Sequence, residues 1–417
     1  MQVRLLAILL FMVFVSFNAQ QKDDTFRMPA EWEQHQAVWV GVFNAPGRNL
    51  VAAAIVRSIY KHVQVRLNYS ADSTKRKFNR LLDSLKIDTS KVTWVKDSIA
   101  FNWIRDPGPI FLINKNGEQK VVDFGWNDYG NCFVYDQRLK KADSITGRID
   151  KRMAALLKLP IISSPIVAEG GGLETNGAGV LMSIEETALQ RNPRKTLKEI
   201  EAEYLRVTHC KKMIWLKRMT LQEKTVKGLH IENWKSSGAN GHIDEVARFV
   251  APNTIALAQI DKLEKDKNPI SKVDYDILEE CYAILKKATD VNGKPFTIIR
   301  IPSPDLNANA VSYIVNKEIR KGFSEEIKTL KDGDTLKYVP AVSYMNFMTT
   351  NGVVLIARYW NEGMPPKEKE KDEKVKKIFE QLYPDRKIIQ INPTNINRIG
   401  GGIHCATRQQ PGIFRYY

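Results

Sequence analysis

The chain has 417 residues, of which 43% are apolar and 26% charged, with a formal net charge of +16. Those proportions exclude collagen-like and disordered chains and suit a globular protein. The excess positive charge is scattered over many lysines. Its densest run, 367–377, alternates acidic and basic residues as a solvated helix face does, so no specific nucleic-acid partner is expected.

A basic start, Met1 to Arg4, precedes an apolar run at 5–17 that ends near Ala19, the pattern of a secretory signal peptide. The run is too short to span a bilayer comfortably, and no later stretch is apolar enough. The expected organisation is a leader at 1–19 and a single catalytic domain at 20–417. The protein is expected to be exported, periplasmic or secreted, with no membrane span after cleavage.

An apolar strand at 37–42, a helix at 49–60 and a strand at 63–67 come next. One pattern then recurs. Amphipathic helices are expected at 73–85, 150–157, 197–207, 273–289 and 369–382. Strands follow them at 92–95, 159–162, 212–216, 296–300 and 387–391. Further strands flank the turns Asn116-Gly117, Asn176-Gly177, Pro252-Asn253 and Asn351-Gly352. A repeated α/β unit implies modules set around a pseudo-symmetry axis or stacked in a row. An axis would bring equivalent loops together. Those loops carry Asp106, Glu169, His242 with Asp244, Asn346 and Cys405.

Cys405 follows the run Gly400-Gly401-Gly402, which gives the backbone room to present a thiol in a packed site. The other cysteines are Cys132, Cys210 and Cys281. No CxxC pair exists, so a structural zinc site is not expected, and at most one disulfide can form if Cys405 is free. His242 and Asp244 are two apart, so an extended segment would turn both to one side. His404 adjoins Cys405 and would face away from it, a packing or hydrogen-bonding residue. Each residue alone has a structural explanation: Asp106 as an ion-pair partner of Arg105, Glu169 as a turn residue, His242 as a core histidine. Together they suit a cationic substrate. Carboxylates raise the pKa of a nearby thiol, which a resting Cys-His protease would avoid. Two carboxylates can instead clamp a planar guanidinium, and the bound cation then favours the thiolate. Attack on the guanidinium carbon, with His242 protonating the departing ammonia and then activating water, yields a ureido product.

The stretches Met28 to Glu33, Trp103 to Pro109, Glu169-Gly170-Gly171, Gln190 to Pro193, Gly241 to Asp244, Ser343 to Phe347 and Gly400 to Pro411 span nearly the whole mature chain. With them the chain resembles the guanidine-modifying superfamily, within it the agmatine deiminases and Porphyromonas-type peptidylarginine deiminases. The resemblance implies a five-bladed pseudo-symmetric α/β propeller of the pentein type. It implies Cys405 as nucleophile, His242 as general acid/base and Glu169 as its orienting partner. Asp106 and Asp244 would bind the guanidinium, Trp103 and Asn346 would line the substrate channel, and no metal or organic cofactor is implied.

Two departures bear on the substrate. Agmatine deiminases usually carry an acidic residue four positions before the His, placed to meet the distal amine; here that position is Gly238. The secreted peptidylarginine enzymes use arginines to clamp a terminal carboxylate, in a region that here reads Asp123 to Gly130 without an Arg. The expected substrate is therefore a small-molecule or peptide guanidine, agmatine or peptidyl-arginine. An amidinotransferase, a non-catalytic guanidinium-binding protein and a structural or adhesion protein are the alternatives. Oligomeric state is not legible.

Overall fold

The structure, a computed structural model, describes residues 25–131, 145–225, 230–323, 327 and 329–413. The expected leader at 1–19 and Cys132 lie outside these residues. The fold is mixed α/β. Five sheets share one pattern: a short strand pairs antiparallel with a second strand, and the second pairs parallel with a third. The second strands are His35–Gly41, Gln119–Gly125, Val180–Ile184, Thr254–Gln259 and Val353–Ala357. Parallel neighbours need a crossover, and a helix supplies it each time. Pro46–Ile59, Ile149–Leu157, Leu197–Thr208, Pro269–Lys287 and Pro366–Leu382 do so in turn. The helix Leu197–Thr208 is opened by a capping box between Thr196 and Glu199.

Helices and sheets pack because the middles of the second strands are apolar and buried on both faces. Val180–Ile184 and Val353–Ala357 are buried throughout. The largest core cluster joins Val180, Leu257, Phe249, Val354 and Phe379 with Trp234 and Val339, so it runs across four sheets. Each such side chain contributes about 1.5–3 kcal/mol by leaving water.

The four turns read from the sequence each close an antiparallel hairpin in this set. The first repeat unit differs from expectation. The helix Asp72–Ser84 and strand Val92–Lys96 do not form a unit of their own. Val92–Lys96 pairs parallel with Gln64–Tyr69 and adds a fourth strand to the first sheet. The true first unit is His35–Gly41, Pro46–Ile59 and Gln64–Tyr69, and its antiparallel partner is Thr407–Pro411 from the far end of the chain. A sixth sheet, of Trp234–Ser236, Thr335–Val339 and Val311–Ile314, has no counterpart in the sequence reading. None of the sheets among the described residues closes on itself.

The helix Pro366–Leu382 forms as expected, yet it is not wholly solvated. Glu368, Lys371 and Asp372 are buried. Lys371 finds Glu264 at 2.7 Å, and Asp372 accepts the Tyr344 hydroxyl. Partners on other segments make that burial possible.

Candidate active site

Each residue singled out in the loops stands just before the first strand of one of the five sheets. Asp106 precedes Ile110–Ile113 and Glu169 precedes Glu174–Thr175. His242 and Asp244 precede Ala247–Ala251, Asn346 precedes Met348–Thr350, and Cys405 precedes Thr407–Pro411. The hairpin register thus delivers them to one place. All are nearly inaccessible: Asp106 is 4% exposed, Glu169 1%, His242 0%, Asp244 1%, Asn346 3% and Cys405 1%.

Asn346 is the hub around the thiol. Its Nδ2 donates to Cys405 Sγ at 3.1 Å and to Asp244 Oδ2 at 3.2 Å. Its Oδ1 accepts from the backbone N–H of His404 at 2.9 Å and of Cys405 at 3.3 Å. Gly402 makes this approach possible, because a Cβ there would stand 2.5 Å from Asn346 Oδ1. Trp103 packs against Gly401, beside the same loop. Burial, then Asp244, Asp106 and Glu245, push the Cys405 thiol well above its ordinary range.

His242 faces three carboxylates. Its Nδ1 lies 3.7 Å from Asp106 and 3.9 Å from Asp244, and its Nε2 lies 3.6 Å from Glu169. These separations exceed hydrogen-bond length, and neither ring nitrogen has a hydrogen-bond partner. Burial opposes the charged ring, but Asp106, Asp244 and Glu169 outweigh it and hold His242 up at about 9. His242 and Asp244 do face the same space, although a 3-10 turn at Ile243–Glu245, not an extended strand, turns them there.

The carboxylates differ in what surrounds them. Burial acts against the charge on Glu169, yet Arg191 at 2.8 Å brings it down to about 2. Asp106 accepts the Tyr129 hydroxyl at 2.9 Å and the Gly171 N–H at 3.2 Å, and burial raises it to about 6. Arg105 does not pair with Asp106. It turns away to Glu31 at 2.7 Å. Asp244 Oδ1 has no partner.

His404 also differs from a simple packing residue. Its Nδ1 lies 2.6 Å from Asp244 and its Nε2 2.6 Å from Glu31. Burial, Arg105 and Arg248 push the ring pKa down. Two contacts to carboxyl groups nevertheless need two hydrogens, and both carboxyls are held low. We therefore place both hydrogens on the ring, whose hydrogen bonds then fix Asp244.

Sequence reasoning missed Tyr129, Glu223, Glu245 and the bridging role of Glu31. Glu31 and Tyr129 lie within quoted stretches, so position was a signal for them. Nothing marked Glu223 or Glu245. Asp244, Glu245 and Cys405 place ligand atoms within 4.8 Å of one another, close enough for a metal ion. Cys210 and Cys281 are buried free thiols. Open surface hollows of about 730 and 760 Å³ contain none of the site residues.

Comparisons with known proteins place the chain among its relatives. The family model for Porphyromonas-type peptidyl-arginine deiminase matches residues 27–411. A Listeria monocytogenes protein named "Putative agmatine deiminase 2" is 30% identical, over 93% of this chain and 96% of its own. The agmatine deiminase of Medicago truncatula is 27% identical over 93% and 97%. The solved agmatine deiminase of Enterococcus faecalis superposes with a TM-score of 0.71 at 23% identity, covering 93% of this chain and 96% of that one. The chain belongs to the Porphyromonas-type peptidyl-arginine deiminase family of enzymes.

Proposed function

We propose that the protein hydrolyses a guanidinium to a ureido group and ammonia through a covalent intermediate on Cys405, with agmatine as the substrate. One observation carries the chemistry: a buried thiol, an unpartnered Asp244 oxygen and an unpartnered His242 ring meet in one acidic cluster. Buried polar groups left unpaired are costly unless a ligand completes them. The relatives' names support agmatine over peptides. The five equivalent sheets support a propeller-like arrangement around one axis, and the apolar leader supports export.

Asp106 and Asp244 would each take paired N–H groups of the guanidinium. The bound cation lowers the thiol's hold on its proton, which passes to solvent as the substrate enters, and the thiolate forms a C–S bond at the guanidinium carbon. The C–N bond breaks as His242 gives its proton to the leaving ammonia. Neutral His242 then takes a proton from water. Hydroxide adds to the same carbon, the C–S bond breaks, and the ureido product leaves. Glu169, held ionised by Arg191, orients the ring. Asn346 steadies the sulfur.

The test is ureido-product formation from agmatine, free arginine, a peptide with internal Arg and a peptide ending in Arg. Cys405→Ala is the control. Agmatine turnover that vanishes in the variant supports the reading. A Cys405 that is unreactive, with no substrate consumed, sinks it.

A further inference from the structure

The segment Asp123 to Gly130 has no arginine and brings a tyrosine to the site instead. Tyr129 is buried, and its hydroxyl donates to Asp106 Oδ2 at 2.9 Å. Its ring lies against His242, with centroids 5.6 Å apart, and packs edge-on to Trp126 at 5.0 Å. Its backbone carbonyl accepts Asn240 Nδ2 at 3.0 Å, from the loop that carries His242. One residue thus joins the Asp106 loop to the His242 loop.

The backbone takes an unusual form to do this. Asp128 has a φ of 51° and Tyr129 a φ of 54°, the left-handed region that is costly for residues with a Cβ. Asn127 Oδ1 accepts the Gly130 N–H at 2.9 Å, and Asn127 Nδ2 donates to the Arg191 carbonyl at 3.0 Å. The segment is therefore pinned beside the partner of Glu169. Strain of this kind persists only where surrounding contacts over-determine it.

The hydrogen bonds on Asp106 show what the strain achieves. A carboxylate offers about two lone pairs on each oxygen. Tyr129 takes one on Oδ2, and the Gly171 N–H at 3.2 Å takes one on Oδ1. One on each oxygen is left, which is what a paired N–H fork takes. We infer that Tyr129 is a positioning residue for the reaction: its hydroxyl fixes the rotation of the Asp106 carboxylate so that both oxygens meet the substrate's guanidinium. The inference rests on the deiminase reading and adds a residue to it. Burial keeps the Tyr129 hydroxyl protonated, so it remains a donor at working pH. A carboxylate that accepts such a bond is favoured in its charged form. The other charged and titratable groups facing Asp106 are His242, Asp244, Glu169, Cys405 and Arg408.

Tyr129→Phe keeps the ring against His242 and removes only the hydroxyl. With agmatine, KM is expected to rise about 10-fold while kcat changes by less than about 3-fold. The acid limb of the kcat/KM profile should move up by about one pH unit, and the basic limb should stay. Replacing Tyr129 with 3-fluorotyrosine, whose more acidic hydroxyl donates more strongly, should move the acid limb down. In the Asp106→Asn enzyme, adding Tyr129→Phe should cost less than about 3-fold. A fall in kcat with both limbs unmoved, or additive losses in the double variant, would make Tyr129 a packing residue and overturn the inference. So would an acid limb indifferent to the fluorine, a measurement on a full-size side chain that does not depend on Tyr129→Phe folding. Wild-type turnover with any of these results overturns the inference alone. A wild-type enzyme that consumes no guanidine overturns the deiminase reading with it.

Discussion

The site's pH response is set by single groups. His242 gives up its proton near 9, so above that value it can no longer protonate ammonia. Asp106 takes up a proton below about 6 and then loses its hold on a cation. The kcat/KM profile is therefore expected to be bell-shaped, falling below about 6 and above about 9. Asp106→Asn cannot titrate. Its acid limb should flatten while KM rises, and an unchanged acid limb would assign that limb elsewhere. Asn346 offers a second test. Asn346→Ala removes the N–H 3.1 Å from the sulfur and the acceptor for two backbone donors. A fall in kcat of about 100-fold is expected. Asn346→Asp, which puts a negative charge beside the thiolate, should do worse. Stopped-flow turnover of both variants decides it. These residues were legible because each sits in a short loop marked by Gly, Pro or a neighbouring turn. Glu31 was quoted for its motif, not its contact. It meets His404 across 373 residues of chain, and no local pattern encodes such a meeting.

At the scale of elements, the helix Pro366–Leu382 shows where sequence patterning succeeds and where it stops. Periodicity located the helix. Its charge alternation suggested solvent on the polar face. The buried Asp372 instead accepts from Tyr344 Oη at 2.7 Å, from Tyr359 N at 2.9 Å and from Trp360 N at 2.8 Å. Asp372→Ala strands two buried donors and a half-buried one, the buried ones at about 1–3 kcal/mol each. A loss of about 3 kcal/mol or more is expected in urea unfolding, with the pH profile of the remaining activity unchanged. A loss below about 1 kcal/mol would mean that the three groups find other partners. The hairpin turns were legible for a simpler reason: Asn-Gly and Pro-Asn pairs specify backbone geometry locally. The sixth sheet was hidden because its strands are short and drawn from segments about a hundred residues apart.

For the whole molecule, the repeat mattered more than any motif. It anticipated that loops far apart in the chain would converge, and all six loop residues do. It misplaced the first unit, because the strand that completes it lies at the other end. Pairing of His35–Gly41 with Thr407–Pro411 brings together the first and last strands among the described residues. A chain ending at residue 406 should leave the strand His35–Gly41 with an open edge. Limited proteolysis is expected to cut near that strand in the truncated chain and to spare it in the full one. Equal resistance would show that the first sheet is stable without its closing strand.

The same pairing fixes an order of events during synthesis. A ribosome adds residues from the N-terminus, so the strand His35–Gly41 emerges hundreds of residues before its partner. Cys405 stands two positions ahead of that partner, on a loop anchored from both sides only when the strand docks. Docking is also the contact of greatest sequence separation in the fold's sheets, the kind that forms slowly. The thiol can therefore be held against Asn346 and Asp244 only in a chain already made through residue 411, and the reactive centre is assembled late, by a contact between the two ends of the fold.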